Sequence, residues 1–219
     1  MAEIAPILED FVRQAPASEL VAPRALEAST DVSSVTFRAM FASVARRLGG
    51  GATLPLESPP AAVDSARPHW TATEWLRAAM LAKGLAKVPE KRHAEIVQNL
   101  FEAGEIGEQE SILRTLSIWP EPARFLETGL LGCRTNARRV FEAIACDNAY
   151  PERHFPELSF NQMVLKAIFI EVPVSRIEGL SGRNGPELAR MATDYASERR
   201  AAGRPVPSDI DRILGRSTA

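Results

Sequence analysis

Basic and acidic side chains that could bind an anion lie close together in the C-terminal half of the chain. Arg134, Arg138 and Arg139 lie near the predicted start of one helix, and Arg138 is one helical turn from Glu142. Guanidinium groups bind carboxylates or phosphates through two parallel hydrogen bonds, so this group could recognise an anion. The same pattern is also typical of a solvated helix face with an exposed Arg–Glu pair, which contributes little to stability.

A glycine-rich segment offers a second place for an anion. Residues Gly179–Gly185 precede a predicted helix that begins at Pro186, and backbone N–H groups at a helix N-terminus attract negative charge. Arg183 lies inside this segment and could assist. The composition is equally typical of an ordinary tight turn that binds nothing.

Polar residues on two further predicted helices could meet in the folded chain. These residues are Asn161, Lys166, Asp194, Glu198 and Arg199. Because polar and charged groups are costly to bury, they would form hydrogen bonds and ion pairs that fix the packing of the two helices. Alternatively, they would line a ligand site, where such groups are often retained.

The sequence lacks the common metal-binding, phosphate-binding and nucleophile signatures of enzymes. His69, His93 and His154 lie far apart and lack a companion ligand at the spacing of a zinc site. No glycine-rich loop ends in Gly-Lys-Ser or Gly-Lys-Thr, and there is no Gly-x-Ser-x-Gly elbow. We therefore expect neither a metal ion nor a cofactor. An enzyme hypothesis can still assign Lys166, Glu142 and Asp194 as acid–base groups, if a pocket brings them within about 3 Å of a reacting atom.

Composition and charge limit the environment and the partners of the chain. The formal net charge of -2 gives no general attraction to nucleic acid or to anionic lipid. No run of 18 apolar residues could span a membrane, and acidic residues interrupt Met1–Gln14, where a secretion signal would be apolar. Two cysteines are too few for a disulfide scaffold. We expect a cytoplasmic protein that binds no nucleic acid and does not insert into a membrane.

Apolar residues recur every three or four positions along most of the chain, which predicts helices. No run alternates apolar and polar residues, so we predict an all-α fold. Short helices with tight connections favour an irregular stack of antiparallel helical hairpins, an α-α superhelix that is solenoid-like in style. The predicted parts are an N-terminal helical segment (1–48) packing on the main domain, a Gly/Pro/Ser-rich loop or linker (49–69) and a helical domain (70–219).

Three local patterns refine this prediction. Thr71–Glu74 has the spacing of a capping box and begins a helix that ends near Gly84. Tyr150-Pro151 is predicted to break a helix. The segment Phe160–Ile170 is apolar nearly all the way round, so we expect other helices to cover it on most sides. Only Asn161, Gln162 and Lys166 interrupt this surface. Gln162 and Lys166 share one face, which is either a seam at the surface or the wall of a polar site.

Several stretches between about residues 120 and 210 resemble one known family. They are Cys133–Asn136, Phe141–Ala145, Asp147–Pro151, Phe160–Ala167, Arg176–Leu180, Pro186–Met191, Asp194–Ala196, Glu198-Arg199 and Ala201–Arg204. In order and spacing they resemble the EboA family of metabolite-traffic proteins. The matching polar positions are Arg134, Asn136, Glu142, Asn161, Lys166, Asp194, Glu198, Arg199 and Arg204.

The resemblance implies a context rather than a reaction. The family accompanies a bacterial operon whose other products resemble a membrane prenyltransferase and metal-dependent hydrolase-like or isomerase-like proteins. That operon helps to move secondary-metabolite precursors from cytoplasm to periplasm. We therefore expect a non-enzymatic binding or adaptor protein whose partners are a small-molecule metabolite or proteins of the same operon. The alternative is an enzyme that modifies a prenylated or aromatic metabolite.

Overall fold

The computed structural model describes residues 1–14, 20–49 and 70–215. These residues form thirteen α-helices and no strand, which confirms the all-α prediction. The helices are α1 Ile4–Gln14, α2 Ala22–Ala28, α3 Val35–Arg47, α4 Ala72–Leu85, α5 His93–Ala103, α6 Ile106–Thr115, α7 Leu126–Arg134, α8 Arg138–Ala145, α9 Tyr150–His154, α10 Glu157–Phe169, α11 Leu180–Arg183, α12 Pro186–Ala201 and α13 Asp209–Ile213. The predicted linker lies outside the described residues except for Gly49.

Helix α4 is the most deeply buried element among the described residues. Only Glu74 and Lys83 of its residues are partly exposed, and α1, α2, α3 and α6 all pack against it. The predicted capping box is present, because the Glu74 N–H donates to Thr71 Oγ1 (3.3 Å) and the Thr71 N–H donates to Glu74 Oε2 (2.6 Å). Alanines and Gly84 along α4 leave room for neighbouring helices, so four of them approach it closely.

Helix α10 is covered by its neighbours on most sides but not on all of them. Phe160 and Val164 are buried, but Gln162 is exposed, and Leu158 and Phe169 keep 57% and 65% of their surface accessible. Within Phe160–Ile170 six residues are buried and two, Gln162 and Phe169, are exposed, so neighbouring elements cover most of the segment and leave one side open to solvent. An apolar surface shows what a helix can bury, whereas the number of partners around it depends on the rest of the fold. The face that Gln162 and Lys166 share reaches the surface, where both residues also line a pocket of about 300 Å³.

Two short helices lie where the sequence predicts only a break or a loop. Pro151 does not end a helix. It lies in the first turn of α9, where the missing N–H of proline costs no helical hydrogen bond. Helix α11 lies inside the predicted loop and follows Gly179, which has a φ of 71°. A Cβ atom on Gly179 would lie 2.2 Å from Glu152 Cγ, so both conformation and space require glycine.

The described helices do not include one that is long and apolar enough to cross a membrane.

Candidate functional site

A polar cleft of about 460 Å³ lies between helices α3, α4, α6 and α8. Three arginines, three glutamates and small or hydroxyl-bearing residues line it: Arg77, Arg114, Arg139, Glu74, Glu110, Glu142, Ala45, Thr71, Thr73, Gly107 and Ser111. Small-molecule sites in proteins usually measure about 300–1,000 Å³. The cleft is therefore large enough for a metabolite, and rigid helices hold nearly all of its walls.

Arg77 forms the floor of the cleft and joins three helices. Its side chain is almost fully buried, with 3% of the residue surface exposed. Nε donates to Phe41 O of α3 (3.0 Å), and Nη1 donates to Gly107 O (2.5 Å) and Ser111 Oγ (3.2 Å) of α6. Burial lowers the pKa of Arg77, and the carboxylate of Glu108 is the largest influence that opposes this shift. Carbonyl and hydroxyl oxygens therefore hold a buried cation that makes no ion pair within the described residues.

Glu74 and Arg114 form an ion pair across the cleft. Arg114 Nε lies 2.7 Å from Glu74 Oε1, and both side chains are largely shielded from water. The other carboxylate oxygen, Oε2, accepts hydrogen bonds from the N–H and Oγ1 of Thr71. The N–H of Arg114 Nε is buried and is not aligned for a hydrogen bond with any described residue. The ion pair thus positions Arg114, whose Nη1 and Nη2 make no hydrogen bond with the described residues.

Glu110 and Arg139 form a second pair at the mouth of the cleft. Arg139 Nε lies 2.7 Å from Glu110 Oε1, and Nη2 donates to Oε2 at 2.8 Å. Only 12% of the Glu110 side chain is exposed, against 75% of the Arg139 side chain. Burial raises the pKa of Glu110 although Arg139 and Arg114 favour its charged form. Arg139 therefore covers a carboxylate that the protein has partly removed from water.

Glu142 lies at the edge of the cleft and is held by two arginines. Arg138 Nε donates to its Oε1 (2.8 Å) and Arg176 Nη1 donates to its Oε2 (2.9 Å). The hydrogen bond from Arg138 is the main reason why the pKa of Glu142 is lowered. Arg138 also donates to two backbone carbonyls just beyond the end of α10, at 3.1 and 3.0 Å. The structure brings these two predicted residues together, but it uses Arg138 to join helices.

Lys166 caps the end of helix α7. Its Nζ donates to the backbone carbonyls of Cys133 (2.5 Å) and Thr135 (2.6 Å) and lies 5.0 Å from the centre of the Phe141 ring. Burial lowers the pKa of Lys166. Cations near a helix C-terminus stabilise its unpaired carbonyls. The position of Lys166 is therefore explained by packing.

Arg183 has the same kind of role at helix α9. Its Nη1 donates to Pro151 O and Glu152 O and its Nη2 donates to Phe155 O, all at 2.9 Å. The guanidinium carbon also lies 4.2 Å from the centre of the Phe160 ring. The predicted anion-binding segment therefore directs its arginine to carbonyl oxygens of its own chain.

The predicted polar contact between α10 and α12 is not formed. Asp194 is exposed and pairs with Arg190 of its own helix (2.7 Å), and Glu198 is exposed. Arg199 Nε donates to a backbone carbonyl six residues further along the chain. Asn161 is 1% exposed, and neither polar atom of its side-chain amide has a hydrogen-bond partner among the described residues. The prediction of buried ion pairs between these helices is therefore wrong.

The remaining predicted residues lie on the surface away from the cleft. Arg134 is exposed and pairs with Glu127 at 3.0 Å. Asn136 and Arg204 are exposed as well. The exposed Arg134–Glu127 pair is expected to contribute little to stability.

Four residues of the cleft were missed at the level of sequence: Glu74, Arg77, Glu110 and Arg114. One signal could have found Arg77, since it stands within the apolar run of α4 between Leu76 and Ala78. A charged residue in a buried helix is expected at a site or in a polar network. The sequence pattern explains Glu74 by its capping box alone, whereas in the fold Glu74 also pairs with Arg114.

No group of three or more histidine, cysteine, aspartate or glutamate residues in the described parts of the chain could hold a metal ion.

Comparison with known proteins gives one match. The chain matches the family model described as "Metabolite traffic protein EboA" over residues 7–215. No curated protein and no solved structure matches the chain. The match includes the N-terminal helices, to which the sequence resemblance between about residues 120 and 210 did not extend.

Proposed function

Because the chain belongs to the EboA family, we propose that it is a non-enzymatic binding protein that holds a small-molecule metabolite in the cleft and supports its traffic. The observation that carries this proposal is the cleft itself, about 460 Å³ in volume with charged walls on four helices. Concave sites with a few well-placed polar groups are the usual form of a small-molecule site.

The proposal extends to the cargo and to the partners. We take the cargo to be a precursor of secondary metabolism that moves from cytoplasm to periplasm, as the family resemblance suggests. Proteins of the same operon would deliver or receive it. An open cleft suits this role, because a carrier must release its ligand unchanged to the next protein.

The geometry favours binding over the acid–base chemistry of the enzyme alternative. Lys166 is used by the end of α7, and two arginines hold both oxygens of Glu142. Asp194 is exposed on α12, where it pairs with Arg190. Each group has its own separate partner, whereas a general acid and a general base must both reach the same reacting atoms.

The experiment blocks the cleft at a position where the fold tolerates a side chain. Among the described residues, a Cβ atom on Gly107 would have only Arg77 Nη1 within 4 Å, at 3.7 Å, so Gly107→Leu places its side chain in the cleft. Leucine also has a higher helix propensity than glycine, which favours an intact fold. Gly182→Leu is the matched control, because a Cβ atom there meets no described residue within 4 Å and Gly182 is exposed.

Both variants and the wild type are incubated with small-molecule extracts of producing cells and analysed by native mass spectrometry. We expect a bound metabolite in the wild type and in Gly182→Leu, and its loss in Gly107→Leu. Export of the precursor should fall in cells that express Gly107→Leu. Equal binding and equal export by all three proteins would show that this cleft is not the site.

A further inference from the structure

We propose that the cleft recognises its ligand through an anionic group, a carboxylate or a phosphate, which binds to the guanidinium of Arg114 with Arg77 and Arg139 beside it. This inference rests on the proposed function of the cleft and adds the chemical class of the ligand. It follows from which hydrogen-bonding groups in the cleft are already used and which are not.

The acceptors of the cleft are already used by the protein. Glu74 places one oxygen against Arg114 Nε and the other against Thr71. Both oxygens of Glu110 face Arg139. Both oxygens of Glu142 accept hydrogen bonds from arginines that do not line the cleft. Each carboxylate is therefore already compensated by the protein, and a cationic or strongly donating ligand would have to share it with an existing arginine or N–H partner.

The donors of the cleft are not all used. Arg114 Nε lies against Glu74 Oε1 at 2.7 Å, but Nη1 and Nη2 of the same guanidinium make no hydrogen bond with the described residues. Arg77 Nη2 makes only a long contact of 3.4 Å with Ala42 O. Arg139 directs Nε and Nη2 to Glu110, while its Nη1 makes no hydrogen bond with the described residues. Guanidinium N–H groups therefore remain for a ligand.

Hydrogen-bond geometry, rather than net charge, sets this preference. Carboxylates near the cleft balance its arginines, since Glu74, Glu110 and Glu108 all act electrostatically on Arg77. A neutral acceptor could use one free N–H group. An oxyanion, however, presents two oxygens at the spacing of the guanidinium fork and gains charge-assisted hydrogen bonds that are about twice as strong as neutral ones.

The probes are simple aromatic compounds that differ only in the group that would reach Arg114. Benzoate supplies a carboxylate, phenyl phosphate supplies a phosphate, and benzamide is an uncharged analogue of benzoate. Binding is measured by isothermal titration calorimetry at constant ionic strength, set with sodium chloride, so that general screening is the same in every titration. Benzoate, phenyl phosphate or both should bind at least ten times more tightly than benzamide.

Arg114→Gln removes the charge and the fork while Thr71 still holds Glu74. We expect anion binding to weaken about tenfold or more, as the loss of a charge-assisted hydrogen bond predicts. Arg134→Gln is the matched control, because Arg134 is an exposed arginine outside the cleft that pairs with Glu127. Arg114→Lys retains the charge without the fork and should give intermediate affinity, so it reports on the site even if the glutamine variant folds poorly.

The results separate this inference from the proposed function. If benzamide binds as tightly as the anions, or if Arg114→Gln and Arg114→Lys keep the wild-type affinity, the anion inference is wrong. A neutral or cationic metabolite that the wild type captures and Gly107→Leu does not would also overturn it, while leaving the cleft as a binding site. Equal capture by Gly107→Leu and Gly182→Leu would remove the proposed function as well. Preference for benzoate or for phenyl phosphate supports the inference and identifies the anion.

Discussion

Replacing Lys166 with methionine tests whether this residue has a structural role or a chemical one. Its ammonium donates to the carbonyls of Cys133 and Thr135 at 2.5 and 2.6 Å and lies over the Phe141 ring. Methionine keeps a similar length of apolar side chain but cannot donate to these carbonyls. We therefore expect the free energy of unfolding to fall and ligand binding in the cleft to stay unchanged.

The expected loss is moderate. Two hydrogen bonds from a charged donor would contribute about 1.5–3 kcal/mol each, and the aromatic contact about 0.5–1 kcal/mol. Two effects reduce this sum. Lys166 is only partly buried, so water can replace the lost donor at the carbonyls. Burial also lowers the pKa of Lys166, which shows that holding the ammonium there has a desolvation cost. We expect about 1–2 kcal/mol for Lys166→Met.

Urea unfolding of the wild type and of two variants measures this loss. Gln162→Met is the control, because Gln162 lies one turn earlier on the same face of α10, is exposed and makes no hydrogen bond with the described residues. Its unfolding free energy should change by less than about 0.5 kcal/mol. The reasoning is refuted if Lys166→Met unfolds like the wild type and yet loses metabolite binding or export, because Lys166 would then act on the ligand or on a partner.

Three further predictions follow from other contacts. Gly132→Ala should lower the free energy of unfolding by about 1–3 kcal/mol, because its Cβ atom would lie 2.7 Å from Leu113 Cδ1. If this clash is the cause, thermal unfolding of the double variant with Leu113→Val should show a smaller loss than the sum of the two single losses. Glu142→Gln should flatten the acid side of the stability curve. The lowered pKa of Glu142 gives stability that is present above its ordinary value of 4.5 and is lost as pH falls through the lower folded value. Urea midpoints of the wild type and of Glu142→Gln are compared between pH 3 and 7, and a parallel loss of stability in the two proteins would contradict the prediction. Arg77→Lys should destabilise the fold by about 2–3 kcal/mol and at least as much as Arg77→Met, because lysine keeps a buried charge without the donors that hold it; a clearly less stable methionine variant in urea would refute this order.

The helices could be predicted from the sequence because their signals are local. The apolar periodicity and the Thr71–Glu74 capping box both act within a few residues, and both appear in the structure. The central element could not be predicted in the same way. Helix α10 has the more continuous apolar surface, but the small residues of α4 let four helices approach it. Close approach depends on partners that lie far away in the sequence.

The candidate site shows the same limit for polar residues. Sequence patterns identified Arg138, Lys166 and Arg183 as residues able to bind an anion or move a proton. In the fold, each of them donates to backbone carbonyls that lie at least 28 positions away. A helix end with unpaired carbonyls needs a donor as much as a ligand does, and the two needs select the same residue types. Only the fold shows whether such a residue caps a helix end or faces a ligand site.

Sequence spacing also suggests the wrong partners for the charged residues of the cleft. Glu110 and Arg114 are four residues apart on α6, the spacing of a pair within one helix. The structure instead joins Arg114 to Glu74 of α4 and Glu110 to Arg139 of α8. Three helices are thus connected at the cleft, and this network gives the cleft its shape.

These pairs also suit a protein that must release what it binds. A buried arginine left without a partner would be costly, so a site with only arginines would hold its anion tightly. Arg114 keeps its contact with Glu74 whether or not a ligand is present, and Arg139 keeps Glu110. The departing ligand therefore leaves no uncompensated charge at either pair. The same carboxylates repel an arriving anion, so we expect moderate affinity and rapid exchange. Glu74→Gln should consequently bind benzoate or phenyl phosphate more tightly than the wild type, because it removes that repulsion and keeps a side chain of the same size.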